Sequence, residues 1–359
     1  MKSVVGAFIL FVTATPGYAA QSNSQSDWLV FLSAENQRPF GIDSSLQPDP
    51  NGEYAAQILF NHTYGALHLL VESEVSNDDS GIDRLQIGWQ IDADNSLWLG
   101  KFHQPASSWN FGHDHGHYLQ TAISVPSIEA WEDDGGLLPQ STVGALLDSE
   151  HRIGSAAGLQ LATAAGFAPT PTPEDPHRYW IPLVPGHGHQ LSWSGRATFY
   201  PTYLGDRGIG VLLARQRMQL GNLPALTAAG WRQADESVCG AFADWGFEPW
   251  RLLASLYNVD LVLRGGGSQH AESFIAGYVQ IERHFGNRWT LFARREDSSR
   301  IQDSIYVSAF GDRLPIQKSL AGLRWEFTPR QAITVEAARV RTTADTFYEA
   351  RLQWSAVIR

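Results

Sequence analysis

The sequence predicts an all-β chain closed into an antiparallel transmembrane β-barrel of about 16 strands, with one very long connection. Three observations predict it. Short runs alternate apolar and polar residues, aromatic residues fall near the ends of those runs, and tight turns alternate with long polar connections.

Alternation comes first. In the run Gln190 to Phe199, one face carries Leu191, Trp193, Gly195, Ala197 and Phe199, and the other Gln190, Ser192, Ser194, Arg196 and Thr198. A β-strand points successive side chains to opposite faces, so this is a strand with one apolar and one polar side. The pattern recurs in Leu85, Ile87, Trp89 and Ile91, and in Tyr348, Ala350, Leu352, Trp354 and Ala356. Applied along the chain, the rule places strands at 27–36, 53–61, 65–76, 83–92, 95–103, 142–149, 154–165, 188–199, 208–217, 235–246, 250–262, 273–285, 287–298, 317–328, 331–341 and 346–358. Residues 225–231 are assigned to a loop, because one more strand would break the parity of tight and long connections.

The turns follow. Tight ones are expected at Asp92–Asn95, Phe285–Arg288 and Thr328–Gln331, and long polar connections at 168–188 and 297–317.

Such strands suit two architectures. A soluble sandwich buries its apolar faces in a shared core; a transmembrane barrel turns them to lipid and keeps its polar faces around a lumen. Trp98, Phe102, Trp193, Phe199, Trp289, Trp325, Phe327 and Trp354 lie near strand ends, as interfacial girdles require. Mid-strand charges on the polar faces (Glu72, Arg196, Arg324, Glu336, Glu349, Arg351) suit a wet lumen. Both favour the barrel.

Residues 1–19 read as a signal peptide: Lys2, an apolar run from Val4 to about Val12, and small residues before a bond after Ala19. The run is shorter than the roughly 20 residues a spanning helix needs. Residues 20–359 are then a single barrel domain. Removing Lys2 takes the formal charge from −11 to −12, one positive charge less. That charge argues against nucleic acid, which demands clustered Lys and Arg. A single cysteine, Cys239, excludes an intramolecular disulfide.

The longest connection, about 104–141, holds the chemistry. Gly100-Lys101-Phe102-His103-Gln104-Pro105, Trp109-Asn110, His115-Gly116-His117-Tyr118-Leu119-Gln120-Thr121, Pro126 and Gly135-Gly136-Leu137-Leu138-Pro139 stand in or beside it. Through these residues, and through strand rhythm elsewhere, the chain resembles porin-like outer-membrane β-barrel proteins of Gram-negative bacteria. The resemblance implies an outer-membrane channel for passive diffusion of small hydrophilic solutes, contact with outer-membrane lipid, a homotrimer, and a long loop folded into the lumen. One departure is the C-terminus, Ser355 to Arg359, where such barrels usually end on an aromatic residue.

If 104–141 folds inward, Glu129, Glu132, Asp133 and Asp134 enter the pore constriction, opposed by Arg196, Arg324 and Arg351 on facing strands. Rings of charged side chains select ions, so weak cation preference is expected. The other reading makes Glu129 to Asp134 a solvated loop face.

His113, His115 and His117 stand at i, i+2 and i+4, on one side of an extended chain. With His103 nearby they could bind zinc or copper; otherwise they are a polar loop lining the mouth or lumen. His187 and His189 repeat the pattern more weakly. No cofactor is otherwise expected. An enzyme is not expected either: there is no Gly-x-Ser-x-Gly elbow and no His-Glu-x-x-His pair. Ser107 or Ser108 with a loop histidine is the remaining nucleophile pair. A closed structural or metal-binding barrel without transport activity is the alternative to a channel.

Overall fold

The computed structural model describes residues 24–41, 52–77, 80–109, 116–130, 137–139, 141–168, 170–171, 179–180, 190–203, 205, 207–220, 223–309 and 314–359. Its centre is one closed antiparallel barrel of 16 strands. In chain order these are β1 (Ser24–Phe40), β2 (Gly52–Tyr64), β3 (Leu67–Ser76), β4 (Ser80–Gln90), β5 (Asn95–His103), β6 (Ser141–Ile153) and β7 (Ala157–Phe167). A small ladder of β8 (Thr170–Pro171) and β9 (Tyr179–Trp180) lies outside the barrel. The barrel resumes with β10 (Leu191–Tyr200), β11 (Ile209–Gln219), β12 (Gln233–Phe247), β13 (Trp250–Gly265) and β14 (Ser268–Phe285). It ends with β15 (Trp289–Ser299), β16 (Gln317–Thr328), β17 (Gln331–Arg341) and β18 (Thr346–Ile358). Closure comes from β1 pairing with β18, Val30 opposite Ile358 through Phe40 opposite Tyr348. Every barrel strand thus has two neighbours, which is what hydrocarbon demands of a sheet, since no edge can remain unpaired there.

All 16 expected strands fall on barrel strands, and four (β5, β16, β17 and β18) have the expected bounds. Residues 225–231 are loop, with a short helix at Pro224–Ala228. The hairpin of β13 and β14 is longer than expected. Gly266 and Gly267, at φ +55° and +83°, close it with a two-residue turn that L side chains rarely adopt. Its outer part, Ser268 to Ala271, has no apolar face to announce a strand.

The outward face is apolar between two aromatic belts. At the tight-turn end Trp28, Tyr64, Trp89, Phe285, Trp289 and Trp325 are exposed, and Trp289 stacks on Trp325 at 5.4 Å. At the opposite end stand Phe40, Tyr54, Phe167, Trp193 and Tyr348, with Ile87, Leu99, Val211, Leu256, Val335 and Leu352 exposed in between. This is the surface of a barrel solvated by lipid. No described helix is long and apolar enough to cross a membrane; the strands cross it.

Trp98 and Phe102 correct the girdle assignment. Leu97 and Leu99 take the outward positions of β5, so Trp98 and Phe102 point inward, 5% and 1% exposed, and pack with Leu59, Leu70 and Leu146. Strand parity, not nearness to a strand end, decides which side an aromatic faces.

Inside, β11 to β14 are apolar as well. Leu212, Val238, Val259, Leu261 and Phe274 face inward and form one buried cluster with Trp109, Ile128, Leu137 and Leu138 of the long connection. Leu226 and Tyr306 from two other connections complete it. Each large side chain so buried contributes about 1.5–3 kcal/mol. The lumen in this sector is packed core.

Candidate functional site

The long connection between β5 and β6 does fold inward, and the barrel wall fixes its course. Gln104 Nε2 donates to the Ser141 carbonyl at 3.1 Å, and Ser192 Oγ on β10 donates to Gln104 Oε1 at 3.0 Å. The chain reaches β13 at Ser108, whose hydroxyl lies 2.8 Å from that of Ser255. It is next described at Gly116, against β1. There φ is +86° and a β-carbon would overlap the Phe31 ring, so only glycine lets the backbone lie this close.

From Gly116 to Glu129 the loop passes along successive strands. His117 Nδ1 is 3.3 Å from Gln353 Nε2 on β18. The Tyr118 hydroxyl donates to the Pro329 carbonyl at 2.8 Å. Arg324 on β16 donates to the carbonyls of Gln120 (2.8 Å) and Tyr118 (2.7 Å), with its guanidinium over the Tyr118 ring. Glu336 on β17 accepts from the Ile123 amide (3.0 Å), the Ser124 amide (3.3 Å) and the Ser124 hydroxyl (2.5 Å). Arg294 on β15 donates to Ser124 Oγ and the Val125 carbonyl, and its ion-pair partner Glu296 accepts from the Ser127 amide. Wall arginines take loop carbonyls and wall carboxylates take loop amides. Buried charged hydrogen bonds of this kind contribute about 1.5–3 kcal/mol each. Burial raises the Tyr118 hydroxyl above its ordinary range; Glu326 adds to this and Arg324 opposes it.

Glu129, next to last in the described run, is an anchor. It is 0% exposed and accepts from Ser107 Oγ (2.6 Å), Ser108 Oγ (3.0 Å), the Trp109 amide (2.5 Å) and the Tyr257 hydroxyl (2.6 Å). It ties the two limbs of the loop to each other and to β13, and faces no aperture. The same contacts occupy Ser107 and Ser108, the candidate nucleophiles. Glu132, Asp133 and Asp134 lie outside the described residues.

The three expected arginines all face inward but do not form one cluster. Arg324 holds the loop. Arg196, on β10 and six strands round the barrel from Arg324, is buried and donates to Gln160 Oε1 on the neighbouring β7 at 3.0 Å. Arg351, on β18, pairs with Glu35 at 3.2 Å and Glu349 at 3.5 Å. Of the histidines, His113, His115, His187 and His189 lie outside the described residues, and His103 is buried at the end of β5. Among the described residues no group of three or more His, Cys, Asp or Glu is placed to hold a metal ion.

Sequence reasoning missed Glu336, Arg294 and Glu296 as loop holders, and Tyr257 as the partner of Glu129. Glu336 was visible only as a lumen charge. Nothing in one dimension pairs residue 336 with residue 123. The apolar inner wall did leave a signal. Val211-Leu212-Leu213-Ala214 and Leu261-Val262-Leu263 are continuous apolar runs, the pattern of strands buried on both faces.

Several charged pairs on the inner wall keep part of their side chains exposed. Arg351 and Glu35 keep 20% and 12% of their side chains exposed, and Arg84 keeps 13% beside Glu72. Asp148 and Glu150 on β6 are half-buried on the same inner face.

No family model matches the chain, and no curated protein matches it. Solved structures do. The anion-selective porin of Comamonas acidovorans has a TM-score of 0.59 at 11% identity, over 94% of this chain and 100% of that one. The outer-membrane channel DcaP of Acinetobacter baumannii has 0.57 at 11%, over 96% and 100%. Salmonella typhi OmpF, solved with daunomycin, has 0.57 at 13%, over 93% and 97%. At these identities the likeness is one of fold: this is the 16-stranded barrel of outer-membrane porins.

Proposed function

We propose that the chain is an outer-membrane channel for passive diffusion of small hydrophilic solutes, with a weak preference for cations. The observation that carries this reading is a lipid-facing barrel whose inner wall keeps charged pairs accessible to water beside a docked loop. A wall built only to be filled would not leave Arg351, Glu35 and Arg84 partly solvated.

Cation preference rests on the balance of charge. The whole chain carries a formal −11, the long connection adds Glu132, Asp133 and Asp134, and Glu35, Glu72 and Glu349 stand on the inner wall. The Comamonas porin is described as anion-selective, but selectivity resides in wall side chains and does not pass with a fold. Its partners are membrane lipid and small polar solutes. A trimer form is described for Vibrio cholerae OmpT, whose fold this chain shares, and a homotrimer is proposed here by analogy. No catalytic role is proposed.

One observation favours a second reading. The apolar packing inside β11 to β14 is what a closed, structural barrel would have. Reconstitution into planar bilayers under a salt gradient separates the two. A channel gives unitary conductance and a reversal potential of the cationic sign. A closed barrel inserts and carries no current, which would overturn the proposal.

A further inference from the structure

The outer wall of β15 to β17 carries cations where a lipid-facing surface should have none. Arg295, Ser319 and Arg339 lie opposite one another across three adjacent strands, and Asp297, Gln317 and Arg341 form the next row toward the loop end. All three arginines alternate with buried inward residues, so they point outward, and all are exposed. Arg295 is engaged: it is bidentate with Asp297 (2.8 and 3.0 Å) and donates to Ser319 Oγ at 2.6 Å. Gln317 also donates to Asp297, at 3.0 Å. Arg339 and Arg341 make no hydrogen bond or ion pair among the described residues. Three cations thus stand near a single carboxylate, and of the three Arg295 alone engages it.

Depth identifies what meets them. Arg339 is paired with Tyr348 on β18, and Tyr348 with Phe40 on β1; both aromatics are exposed and belong to the loop-end belt. Aromatic belts mark the headgroup level. One row further in, Ala293, Ala321 and Ala337 begin the apolar zone. An arginine on a barrel's lipid face costs about 2–4 kcal/mol at the midplane and close to nothing at the interface. The fixed anion at that level is a lipid phosphate. The guanidinium fork matches phosphate geometry in two parallel hydrogen bonds. Arg339 and Arg341, two apart on one strand, are roughly 6.8 Å from each other, and Arg295 is about 10 Å from the first and about 12 Å from the second, within reach of one headgroup for side chains of this length.

We infer that Arg339 and Arg341, with Arg295 beside them, form a binding site on the outer wall for the phosphate of an anionic lipid headgroup. The inference rests on the membrane-spanning barrel and not on the lumen being open, so conductance bears on the channel proposal alone.

The test is native mass spectrometry of the full chain released from detergent containing equal phosphatidate and phosphatidylcholine. Folding is verified first by far-ultraviolet circular dichroism. The wild type should retain phosphatidate preferentially, and the preference should weaken as salt is raised. Arg339→Gln with Arg341→Gln should reduce it on the order of tenfold or more, since each basic residue near an anionic headgroup contributes about one decade or a little less. Arg339→Lys with Arg341→Lys, which keeps charge and loses the fork, should retain part of it and serves if the glutamine variant does not fold. Equal retention of both lipids by the wild type would overturn the inference. So would undiminished phosphatidate preference in the glutamine variant, or a change there in subunit number alone.

Discussion

Glu336, in the middle of β17, holds the amides of two consecutive loop residues, Ile123 and Ser124, with one carboxylate oxygen. Its other oxygen takes the Ser124 hydroxyl, so one wall side chain fixes the turn of the loop at that point. Glu336→Gln keeps the shape and removes the charge. Amides 123 and 124 should then exchange with solvent faster by one to two decades, while the amides of β17 are unchanged. This follows from about 1.5–3 kcal/mol per charged hydrogen bond, and hydrogen exchange read by mass spectrometry checks it. Equal protection in both proteins would show that the loop is held elsewhere.

Tyr257→Phe should loosen the second anchor. It removes the donor 2.6 Å from Glu129 Oε1 and leaves three others in place. A double-mutant cycle with Glu129→Gln should return a coupling of about 0.5–3 kcal/mol in chemical unfolding, the range for contacting residues in one network. Additive effects would mean that the bond contributes nothing of its own.

Gly116→Ala should cost more than its size suggests. The new methyl would meet the Phe31 ring, and φ of +86° is strained for any L side chain. The expected result is a barrel of normal strand content with heightened protease sensitivity between residues 104 and 141. An unchanged digestion pattern would refute the close approach.

Glu132, Asp133 and Asp134 changed together to Asn should shift the reversal potential toward zero if that stretch lines the permeation path. An unchanged potential would place the preference in the wall, on Glu35, Glu72 and Glu349.

The three loop histidines can be tested as a group. Imidazoles lose their charge between about pH 5 and 8, so at a constriction they should make conductance vary across that range. His113, His115 and His117 all changed to Ala should abolish the variation. A metal site would instead hold zinc or copper stoichiometrically through dialysis, competing with protons for the ligands; the same variant would then lose the bound metal. His117 already has a neighbour in Gln353, and the mutant separates that contact from the other two positions.

The strands were legible because their signal is local. Leu191, Trp193 and Phe199 face lipid while Ser192, Ser194 and Arg196 face inward, as two-residue alternation requires. β18 was placed to the residue for the same reason. The loop's partners were not legible, because Arg324 reaches the carbonyl of a residue 204 positions away and no periodicity records such a meeting. Glu129 shows the limit from the other side. An acid in a polar, acidic stretch reads as solvated, and burial against Tyr257 reverses that environment without changing one letter nearby. Trp98 and Phe102 differ for a third reason: both lie near strand ends, but their parity turns them inward.

The wall grips the long loop mainly by its backbone: carbonyls 118, 120 and 125, and amides 123, 124 and 127. Backbone groups are the same for every residue except proline at the amides. The course of this segment is therefore written on β15, β16 and β17, and its own letters are left largely free. Residues such as Thr121 and Ala122 can be exchanged for others of suitable size without rerouting the chain. A designer could rewrite what this stretch presents to the barrel interior while keeping where it runs.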